Sequence, residues 1–263
     1  MAQIIYGIHP VKEALVSSSL QIQKIFIGSQ KPSPSLQSII ELAHQKRIPV
    51  LSSRKEMLER MARGGLHQDI VATLKETLYP YADPEQILTL RKKEEKRLIL
   101  ILDSIQDPQN FGSLIRTALG CGVHGIIIPK DRAVGITPAV LKASAGAAAH
   151  LLIARVTNLA AMIDRLKEEG FWVFGAAGEA KDFIYDLDLT TDLAIVIGSE
   201  GKGIRPLVRK KCDQLFSIPM KGPVSSFNAS VSGGMILYEA MRQRHVKEGL
   251  SSGALAKEEG SKG

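Results

Sequence analysis

The first part of the chain shows an alternation of apolar and polar residues that predicts a small α/β module. Stretches with apolar residues at helical spacing alternate with short runs typical of strands. The predicted helices cover residues 10–17, 35–45 and 54–61, and the predicted strands cover residues 22–27, 49–51 and 70–74. We therefore predict that residues 1–76 form one α/β domain.

The apolar pattern becomes thin between Tyr79 and Arg97. This stretch contains Pro80 and Pro84, and it packs five basic residues into the seven positions 91–97. A run of charges with few apolar partners is typical of a solvated connection between domains. We predict a partly helical linker over residues 77–97.

A second pattern begins at residue 98, where five consecutive apolar residues indicate a central parallel strand covered on both faces. Helix-like segments separate this run from others of the same type. Those runs cover residues 125–128, 151–153, 171–174, 193–197 and 215–218. Strands that alternate with helices predict a doubly wound parallel sheet in a domain over residues 98–246.

Three helix ends are marked by the residues that commonly occupy them. Thr137 precedes Pro138 and is a predicted N-cap, as is Asn158, while Gly170 is predicted to end the helix that Asn158 begins. A final helix is predicted over residues 231–244. The remaining residues, 247–263, carry few apolar side chains and are predicted to be a disordered tail.

The length of 263 residues agrees with two domains. Lys and Arg number 34 against 27 Asp and Glu, and this net charge of +7 suits a polyanionic partner or simply a basic enzyme. Cys121 and Cys212 are the only cysteines, which excludes a disulfide framework and favours a reducing cytoplasm. The sequence shows no export signal and no apolar stretch of the ~20 residues that span a bilayer.

In doubly wound sheets, ligands bind beyond the carboxyl ends of the strands. The segments to consider therefore follow Leu102, Ile197 and Ile218. They contain three polar or glycine-rich loops, at residues 110–116, 198–203 and 225–230. We predict one active site built from these three loops.

The first loop contains Asn110 and Arg116. Asn110 is a candidate helix cap, and Arg116 would then lie in the second turn of that helix as a solvated side chain. Alternatively, an arginine at this edge of the sheet is well suited to hold a phosphate group through two parallel hydrogen bonds.

The second loop has three glycines, Gly198, Gly201 and Gly203, which allow a ligand to approach the backbone closely. Their spacing differs from both the dinucleotide-binding pattern and the P-loop, so NAD binding and ATP hydrolysis are disfavoured. Glu200 lies within this loop, where its carboxylate either accepts hydrogen bonds or faces water.

The third loop contains Ser226 and Asn228, each of which is also a candidate cap for the final helix. Between the second and third loops the chain is strongly basic, with Asp213 as its one acidic residue. This density of positive charge favours a polyanionic substrate. The basic residues are Lys202, Arg205, Arg209, Lys210, Lys211 and Lys221.

Taken together, in this order and at these spacings, the three loops resemble the signature motifs of the SpoU-type (TrmH-like) RNA 2′-O-ribose methyltransferases. The resemblance implies an enzyme that uses S-adenosyl-L-methionine and needs no metal. It also implies a catalytic α/β domain with a parallel sheet and a C-terminal trefoil knot, an exception to the rule that chains do not thread loops.

Site residues follow from the resemblance position by position. The implied catalytic residues are Arg116, Asn110, Glu200, Ser226 and Asn228. The implied cofactor-binding residues are Gly198, Ile218 and Phe227, with Gly201, Met220 and Ala229 nearby. Most relatives have Leu and Val where this chain has Phe227 and Ala229, so the resemblance implies an altered but still apolar pocket wall.

The N-terminal module also resembles a family domain, the ribosomal-protein-L30-like (L30e-like) domain that binds the RNA substrate. Residues 7–11 and 65–72 carry this likeness. The two-domain arrangement is closest to the subgroup that methylates a guanosine ribose in the peptidyl-transferase loop of 23S rRNA. The resemblance also implies a homodimer, which we expect to pack through the final helix.

Two alternatives remain open from the sequence. One is a relative that acts on another nucleoside, in tRNA or at an adenosine in rRNA. The other is a non-catalytic module that only binds RNA, against which the presence of Asn110, Arg116, Glu200 and Asn228 argues. For the enzyme, Arg116 is expected either to relay the proton of the ribose 2′-hydroxyl or to position the target phosphate while polarising that hydroxyl.

Overall fold

The structure is a computed structural model that describes residues 4–16, 22–28, 31–74, 79–90, 96–223 and 226–259, with the side chains of the last helix described as far as Lys247. The described strands form two sheets. The strands are β1 Ile4–Tyr6, β2 Ile22–Ile27, β3 Val50–Ser52, β4 Ile70–Leu74, β5 Leu98–Asp103, β6 Gly125–Pro129, β7 Leu152–Val156, β8 Trp172–Ala176, β9 Asp182–Phe183, β10 Leu193–Gly198 and β11 Gln214–Ser217.

Helices connect most of these strands. The α-helices are α1 Ile8–Val16, α2 Pro34–Gln45, α3 Lys55–Met61, α4 Pro84–Leu88, α5 Pro108–Gly120, α6 Pro138–Ala143, α7 Leu159–Glu168, α8 Pro206–Lys211 and α9 Ala229–Glu259, and 3-10 helices occur at Ala147–His150 and Ile184–Asp186. The final helix, predicted over residues 231–244, is longer in the structure, and its backbone continues through residues 247–259 of the tail that was predicted to be disordered. Residues 260–263 lie outside the described residues.

The N-terminal module is a four-stranded mixed sheet with helices packed on it. The alternating pattern predicts three of these strands, and β1 was not predicted. Its strand order is β1-β4-β2-β3, in which β4 runs antiparallel to both neighbours and β2 and β3 are parallel. The side chain of Gln68 accepts a hydrogen bond from the backbone N–H of Ile8 at 3.1 Å. The first N–H groups of a helix lack partners within the helix. This bond supplies such a partner and connects the start of α1 with the segment that precedes β4.

The larger sheet has seven strands in the order β7-β6-β5-β10-β8-β11-β9. The recorded pairings of β5 with β6 and β10, of β8 with β10 and β11, and of β9 with β11 are parallel. Every residue of β5 is buried, as expected for a central strand covered on both faces. The predicted α/β class with a parallel sheet is confirmed, and the knot stays a prediction.

The predicted caps at Thr137 and Asn158 are confirmed by hydrogen bonds. The side chain of Thr137 accepts from the backbone N–H of Val140 at 3.3 Å, and that of Asn158 accepts from Ala161 at 3.2 Å. Gly170 follows the second of these helices with a φ of +84°, a left-handed conformation that glycine adopts without steric cost.

The described part of the predicted linker contains a short buried helix, α4. Asp83 caps its first turn by accepting a hydrogen bond from Glu85 N at 3.0 Å, and Ile87 and Leu88 at its end are buried. Ile87 lies against Gly125 of β6, so this segment contributes to the core beside the larger sheet. Residues 75–78 and 91–95, which include most of the basic run, lie outside the described residues.

Contacts divide the chain into two compact units that interleave along the sequence. One comprises Met1–Ala82, Gln106–Leu119 and Val134–Ile153, and the other comprises Asp83–Ile105, Gly120–Ala133 and Ala154–Gly263. In the first unit, Lys142 of α6 donates to the carbonyl oxygen of Leu66 at 2.6 Å. The domain boundaries read from the pattern, residues 1–76 and 98–246, stay a prediction.

Within the part of the chain that the structure describes, no helix combines the length and the apolar character needed to cross a bilayer.

Candidate active site

A cavity of about 600 Å³ opens beyond the carboxyl ends of β8, β10 and β11. Its walls come from residues 176–179 after β8 and residues 197–204 around the end of β10. Residues 216, 217, 218 and 220 around the end of β11, residues 226, 227, 229 and 232 at the start of α9, and Arg209 of α8 also line it. The carboxyl ends of parallel strands meet at one edge of a sheet, which is why segments distant in sequence converge here. The volume lies within the roughly 300–1,000 Å³ typical of small-molecule and cofactor sites.

All six residues predicted to bind the cofactor line this cavity. Glu200 and Ser226, from the predicted catalytic set, line it as well. Ser225 lies outside the described residues. The six residues are Gly198, Gly201, Ile218, Met220, Phe227 and Ala229.

The loop after β10 is a tight turn that requires its glycines. Ser199 and Gly203 exchange backbone hydrogen bonds of 3.2 Å and 2.8 Å across its base. Gly201 and Gly203 have positive φ angles of +76° and +63°. A Cβ atom at Gly198 would lie 2.1 Å from the carbonyl carbon of Gly203, so the two limbs of the loop approach each other as closely as backbone allows.

Glu200 joins this loop to the start of α9. Its Oε1 atom accepts hydrogen bonds from Asn228 Nδ2 at 2.6 Å and from the backbone N–H of Ala229 at 3.1 Å. The Oδ1 atom of Asn228 in turn accepts from Ser230 N at 2.9 Å and from Val231 N at 3.3 Å. Asn228 therefore caps α9 through its Oδ1 atom and donates a hydrogen bond to Glu200 through its Nδ2 atom. A role as helix cap and a role in the active site are compatible for this residue.

Asn110 and Arg116 lie on α5, which the structure describes within the other compact unit. The helix begins at Pro108, and Asp107 caps it by accepting from Gln109 N at 3.3 Å and from Asn110 N at 2.9 Å. The interpretation of Asn110 as the cap is wrong, because Asp107 comes earlier and already fills that position. Arg116 consequently lies in the third turn rather than the second, with an exposed side chain.

Gly112 of α5 packs directly on the end of α6. A Cβ atom at this position would lie 2.3 Å from the Cβ atom of Ala143 and 2.9 Å from the backbone nitrogen of Ser144. A larger residue would push the two helices apart, so Gly112 fixes the placement of the helix that carries Asn110 and Arg116.

The sequence interpretation missed the segment of residues 176–179. It follows a buried strand of the same sheet, so the rule that selected the other loops also applied to it. Glu179 in this segment forms an ion pair with Arg209 of α8, and both residues line the cavity. Hydrogen bonds from its own backbone N–H and from Arg209 lower the pKa of Glu179, which keeps the carboxylate ionised at neutral pH.

The lining of the cavity fits S-adenosylmethionine. Ile197, Ile218 and Phe216 supply apolar surface for a planar base. The carboxylate of Glu200 supplies negative charge for a cationic ligand, and a sulfonium and an ammonium are both cations, whereas the carboxylate of Glu179 is already paired with Arg209. Among the described residues, no group of three or more His, Cys, Asp or Glu side chains is arranged to hold a metal ion.

Two family models match the chain. The model described as the SpoU rRNA Methylase family matches residues 97–238. The model described as RNA 2′-O ribose methyltransferase substrate binding matches residues 4–80. The first match alone covers more than half of the chain.

Named relatives align over nearly their full length. A 23S rRNA (guanosine-2′-O-)-methyltransferase RlmB from Coxiella burnetii is 43% identical over 92% of this chain and 96% of its own. A putative TrmH family tRNA/rRNA methyltransferase, YacO, from Bacillus subtilis is 41% identical over the same shares of 92% and 96%.

Solved structures share the fold. The SpoU methyltransferase AviRb from Streptomyces viridochromogenes, in complex with AdoMet, superposes with a TM-score of 0.78 at 26% identity, covering 92% of this chain and 90% of that one. An AdoMet-bound rRNA methyltransferase from Sinorhizobium meliloti gives a TM-score of 0.75 at 21% identity, covering 92% and 87%. The chain described here belongs to the SpoU rRNA methylase family.

Proposed function

We propose that this chain methylates the 2′-hydroxyl of a guanosine ribose in 23S rRNA. Family membership makes it an RNA 2′-O-ribose methyltransferase that uses S-adenosylmethionine. The proposal goes further in naming guanosine as the methylated nucleoside and 23S rRNA as the substrate. Several relatives named as guanosine methyltransferases of 23S rRNA support it, since they align over 92% or more of this chain at 39–43% identity. Such a substrate and the two unpaired cysteines favour action in the cytoplasm.

One observation carries the catalytic part of the proposal. Six residues from three separate segments, selected as cofactor-binding by their motifs, line a single cavity of suitable size. When bound, S-adenosylmethionine supplies an electrophilic methyl group on a sulfonium, so the protein needs to bind, orient and deprotonate rather than provide the reactive carbon.

Arg116 is proposed as the catalytic residue that meets the RNA. Its guanidinium holds a phosphate of the target nucleotide through parallel hydrogen bonds and polarises the 2′-hydroxyl. The proton of O2′ then passes to water as the bond from oxygen to the methyl carbon forms and the bond from that carbon to sulfur breaks. Because arginine holds its proton tightly, its guanidinium is better suited to stabilising the developing oxyanion than to acting as a base. Asn110, on the same helix, is proposed to orient the ribose.

Glu200, Ser226 and Asn228 are proposed to organise the cofactor side of the site. Glu200 accepts hydrogen bonds from Asn228 and from the start of α9, which holds two walls of the cavity at a fixed separation. Ser226 lines the same cavity and presents a hydroxyl to its contents. Fixed walls reduce the reorganisation needed to bring the methyl group and the hydroxyl into line.

We also propose a homodimer that packs through α9. Val231, Met235 and Tyr238 follow helical spacing, and their exposed fractions are 47%, 42% and 60%. Exposed apolar side chains that recur on one helix face are typical of an interface. A second copy of the chain is the proposed occupant of this face.

A second candidate is a tRNA substrate. It is favoured by relatives named as putative TrmH family tRNA/rRNA methyltransferases, which are 41–44% identical to this chain. These relatives match as closely as those named for 23S rRNA, so only an assay with both RNAs separates the two substrates.

The test is transfer of a labelled methyl group from S-adenosylmethionine to purified 23S rRNA and to tRNA, followed by mapping of the modified nucleotide. We expect a single 2′-O-methylguanosine in 23S rRNA. Arg116→Ala should lower the rate on the order of 10²-fold, as expected when one donor to a developing oxyanion is removed. Arg165→Ala, which removes an exposed arginine of α7, should leave the rate unchanged.

Three outcomes would count against the proposal. Methylation of tRNA alone would replace the proposed substrate with the second candidate. An Arg116→Ala protein that retained the full rate would remove Arg116 from the mechanism. Failure of the unaltered protein to transfer a methyl group to either RNA would contradict the proposed activity as a whole.

A further inference from the structure

Asp103, the last residue of β5, has a carboxylate that no motif assigns and that is wholly buried. Its Oδ2 atom accepts a hydrogen bond from the backbone N–H of Arg205 at 2.8 Å. Its Oδ1 atom accepts from Arg205 Nε at 2.6 Å and from Ser104 Oγ at 3.2 Å. Both oxygens of the buried group are therefore directed at the same arginine, 102 residues away in sequence.

Arg205 directly follows the loop after β10, which forms one wall of the cavity. Gly203 and Ile204 line the cavity, and Arg205 follows them immediately. The other limb begins at Gly198, which pairs in register with Asp103 across β10 and β5. Asp103 thus lies beside the start of the loop and bonds to its end.

Burial of a carboxylate is costly unless hydrogen bonds and an opposite charge compensate it. The other five residues of β5 are all Leu or Ile and are buried without such a cost. The two bonds to Arg205 supply the compensation, and they also fix the position of the backbone at residue 205. The two hydrogen bonds between Asp103 and Arg205 therefore form only when the backbone beside the cavity wall is in this position.

We propose that Asp103 is a positioning residue for the cofactor: through Arg205, it holds the limb of residues 203–204 at the distance from Gly198 that the bound S-adenosylmethionine requires. This inference rests on the proposed function only in taking the cavity to be the cofactor site. Asp103 acts through Arg205 and not by touching the ligand, so its loss should weaken cofactor binding while the affinity for RNA changes little.

A second pair in the same sheet provides a matched control. Asp192 accepts hydrogen bonds from Arg97 N at 2.7 Å and from Arg97 Nε at 3.2 Å, the same two donors that Arg205 offers to Asp103. Arg97 precedes β5 and Asp192 precedes β10, so this pair lies at the amino ends of the strands, whereas the cavity lies at their carboxyl ends. Loss of either ion pair is expected to lower the stability of the fold, but only the pair of Asp103 and Arg205 lies next to the cavity.

The experiment compares the full-length protein with its Asp103→Asn and Asp192→Asn variants. Dissociation constants for S-adenosylmethionine are measured by calorimetry, thermal midpoints are measured without ligand, and KM values are measured separately for cofactor and RNA. For Asp103→Asn we expect the dissociation constant and the KM for cofactor to rise on the order of tenfold or more, because two hydrogen bonds to the loop are lost or weakened. The KM for RNA should stay within about twofold.

Asp192→Asn should lower the thermal midpoint to a similar extent and leave the cofactor dissociation constant within about twofold of the unaltered protein. Equal cofactor affinity in Asp103→Asn and the unaltered protein would overturn the inference. An equal loss of affinity in Asp192→Asn would also overturn it, because the effect would then be one of general stability.

Should Asp103→Asn fail to fold, Arg205→Lys decides the question, since it keeps a positive charge beside Asp103 and the backbone bond to it but loses the bond from Nε. We expect it to weaken cofactor binding by about threefold or more, and unchanged binding would overturn the inference. Failure of the proposed function is distinguishable. Unaltered protein that binds the cofactor but leaves 23S rRNA unmethylated contradicts the proposed substrate and leaves the comparison of dissociation constants intact.

Discussion

Replacement of Gly198 by alanine is the smallest change that tests whether the loop after β10 forms the cofactor wall. The added Cβ atom would lie 2.1 Å from the carbonyl carbon of Gly203, 2.3 Å from its oxygen and 2.3 Å from the backbone nitrogen of Ile204. All three neighbours are backbone atoms and cannot rotate away. The opposite limb must retreat by roughly 1.4 Å for the two carbons to reach a favourable separation of ~3.5 Å.

That retreat has consequences for stability and for binding. The hydrogen bonds between Ser199 and Gly203, and the bond from Arg205 N to Asp103, connect the parts that must move. Overpacking of this kind costs about 1–3 kcal/mol. Because a displacement of about 1 Å in an active site can cost on the order of 10²-fold in rate, we expect methyl transfer to slow by about that factor, and the dissociation constant for S-adenosylmethionine to rise as the wall moves away from the ligand.

Calorimetric titration of S-adenosylmethionine into Gly198→Ala measures this effect, and thermal melting without ligand measures the cost to the fold. Gly120→Ala is the control. Gly120 is the last residue of α5 and does not line the cavity, and a Cβ atom added there meets no atom within 4 Å, so the affinity for the cofactor and the melting point should hardly change. Wild-type affinity in Gly198→Ala would refute the assignment of this loop as the cofactor wall.

Three further predictions concern the interface, acid stability and thiol reactivity. Tyr238→Glu places a charge on the exposed face of α9 and should convert the dimer to a monomer in light scattering, whereas a monomeric unaltered protein would exclude that interface. Burial tends to raise the pKa of Asp192, but hydrogen bonds from Arg97 lower it below the usual value. The ion pair of Asp192 with Arg97 therefore stabilises the fold at pH values above the unfolded pKa of about 3.9, and this contribution is lost as the pH falls through the lowered pKa of the folded state. The difference in thermal midpoint between the unaltered protein and Asp192→Asn should therefore shrink below pH ~4, and a constant difference down to pH 3 would contradict this reasoning. Burial raises the pKa of the Cys212 thiol to about 11, so alkylation at pH 8, followed by mass spectrometry, should be far slower at Cys212 than for an exposed thiol; equal rates would contradict the burial.

The larger sheet could be predicted because its strands are buried on both faces. Such strands need no polar alternation, so they stand out as continuous apolar runs, and β5, with every residue buried, is the clearest case. The caps at Thr137 and Asn158 were predictable for a different reason: their side chains bond to backbone only three residues away. Both signals are local in sequence.

The elements that escaped prediction depend on distant partners. The two-residue strand β9 exists because it pairs with β11, and its own sequence of Asp182 and Phe183 carries no strand pattern. A partly helical linker was predicted, but the burial of Ile87 and Leu88 in α4 was not, because it depends on contacts such as that of Ile87 with Gly125 of β6. Asn110 was a plausible cap until the structure showed that α5 begins earlier, at Pro108.

The sequence by itself indicated candidates for the residues that carry the chemistry and showed that the main loops follow strand ends, because motif spacing and strand patterns are properties of consecutive residues. Tertiary structure decided which loops share a wall. The strand order places β10 between β5 and β8, and β11 beside β8, so the ends of β8, β10 and β11 open into one cavity. Tertiary structure also brought Asp103 into contact with Arg205. Hydrogen bonds between a strand and a loop depend on distance in space, so no local sequence pattern indicates a partner 102 residues away.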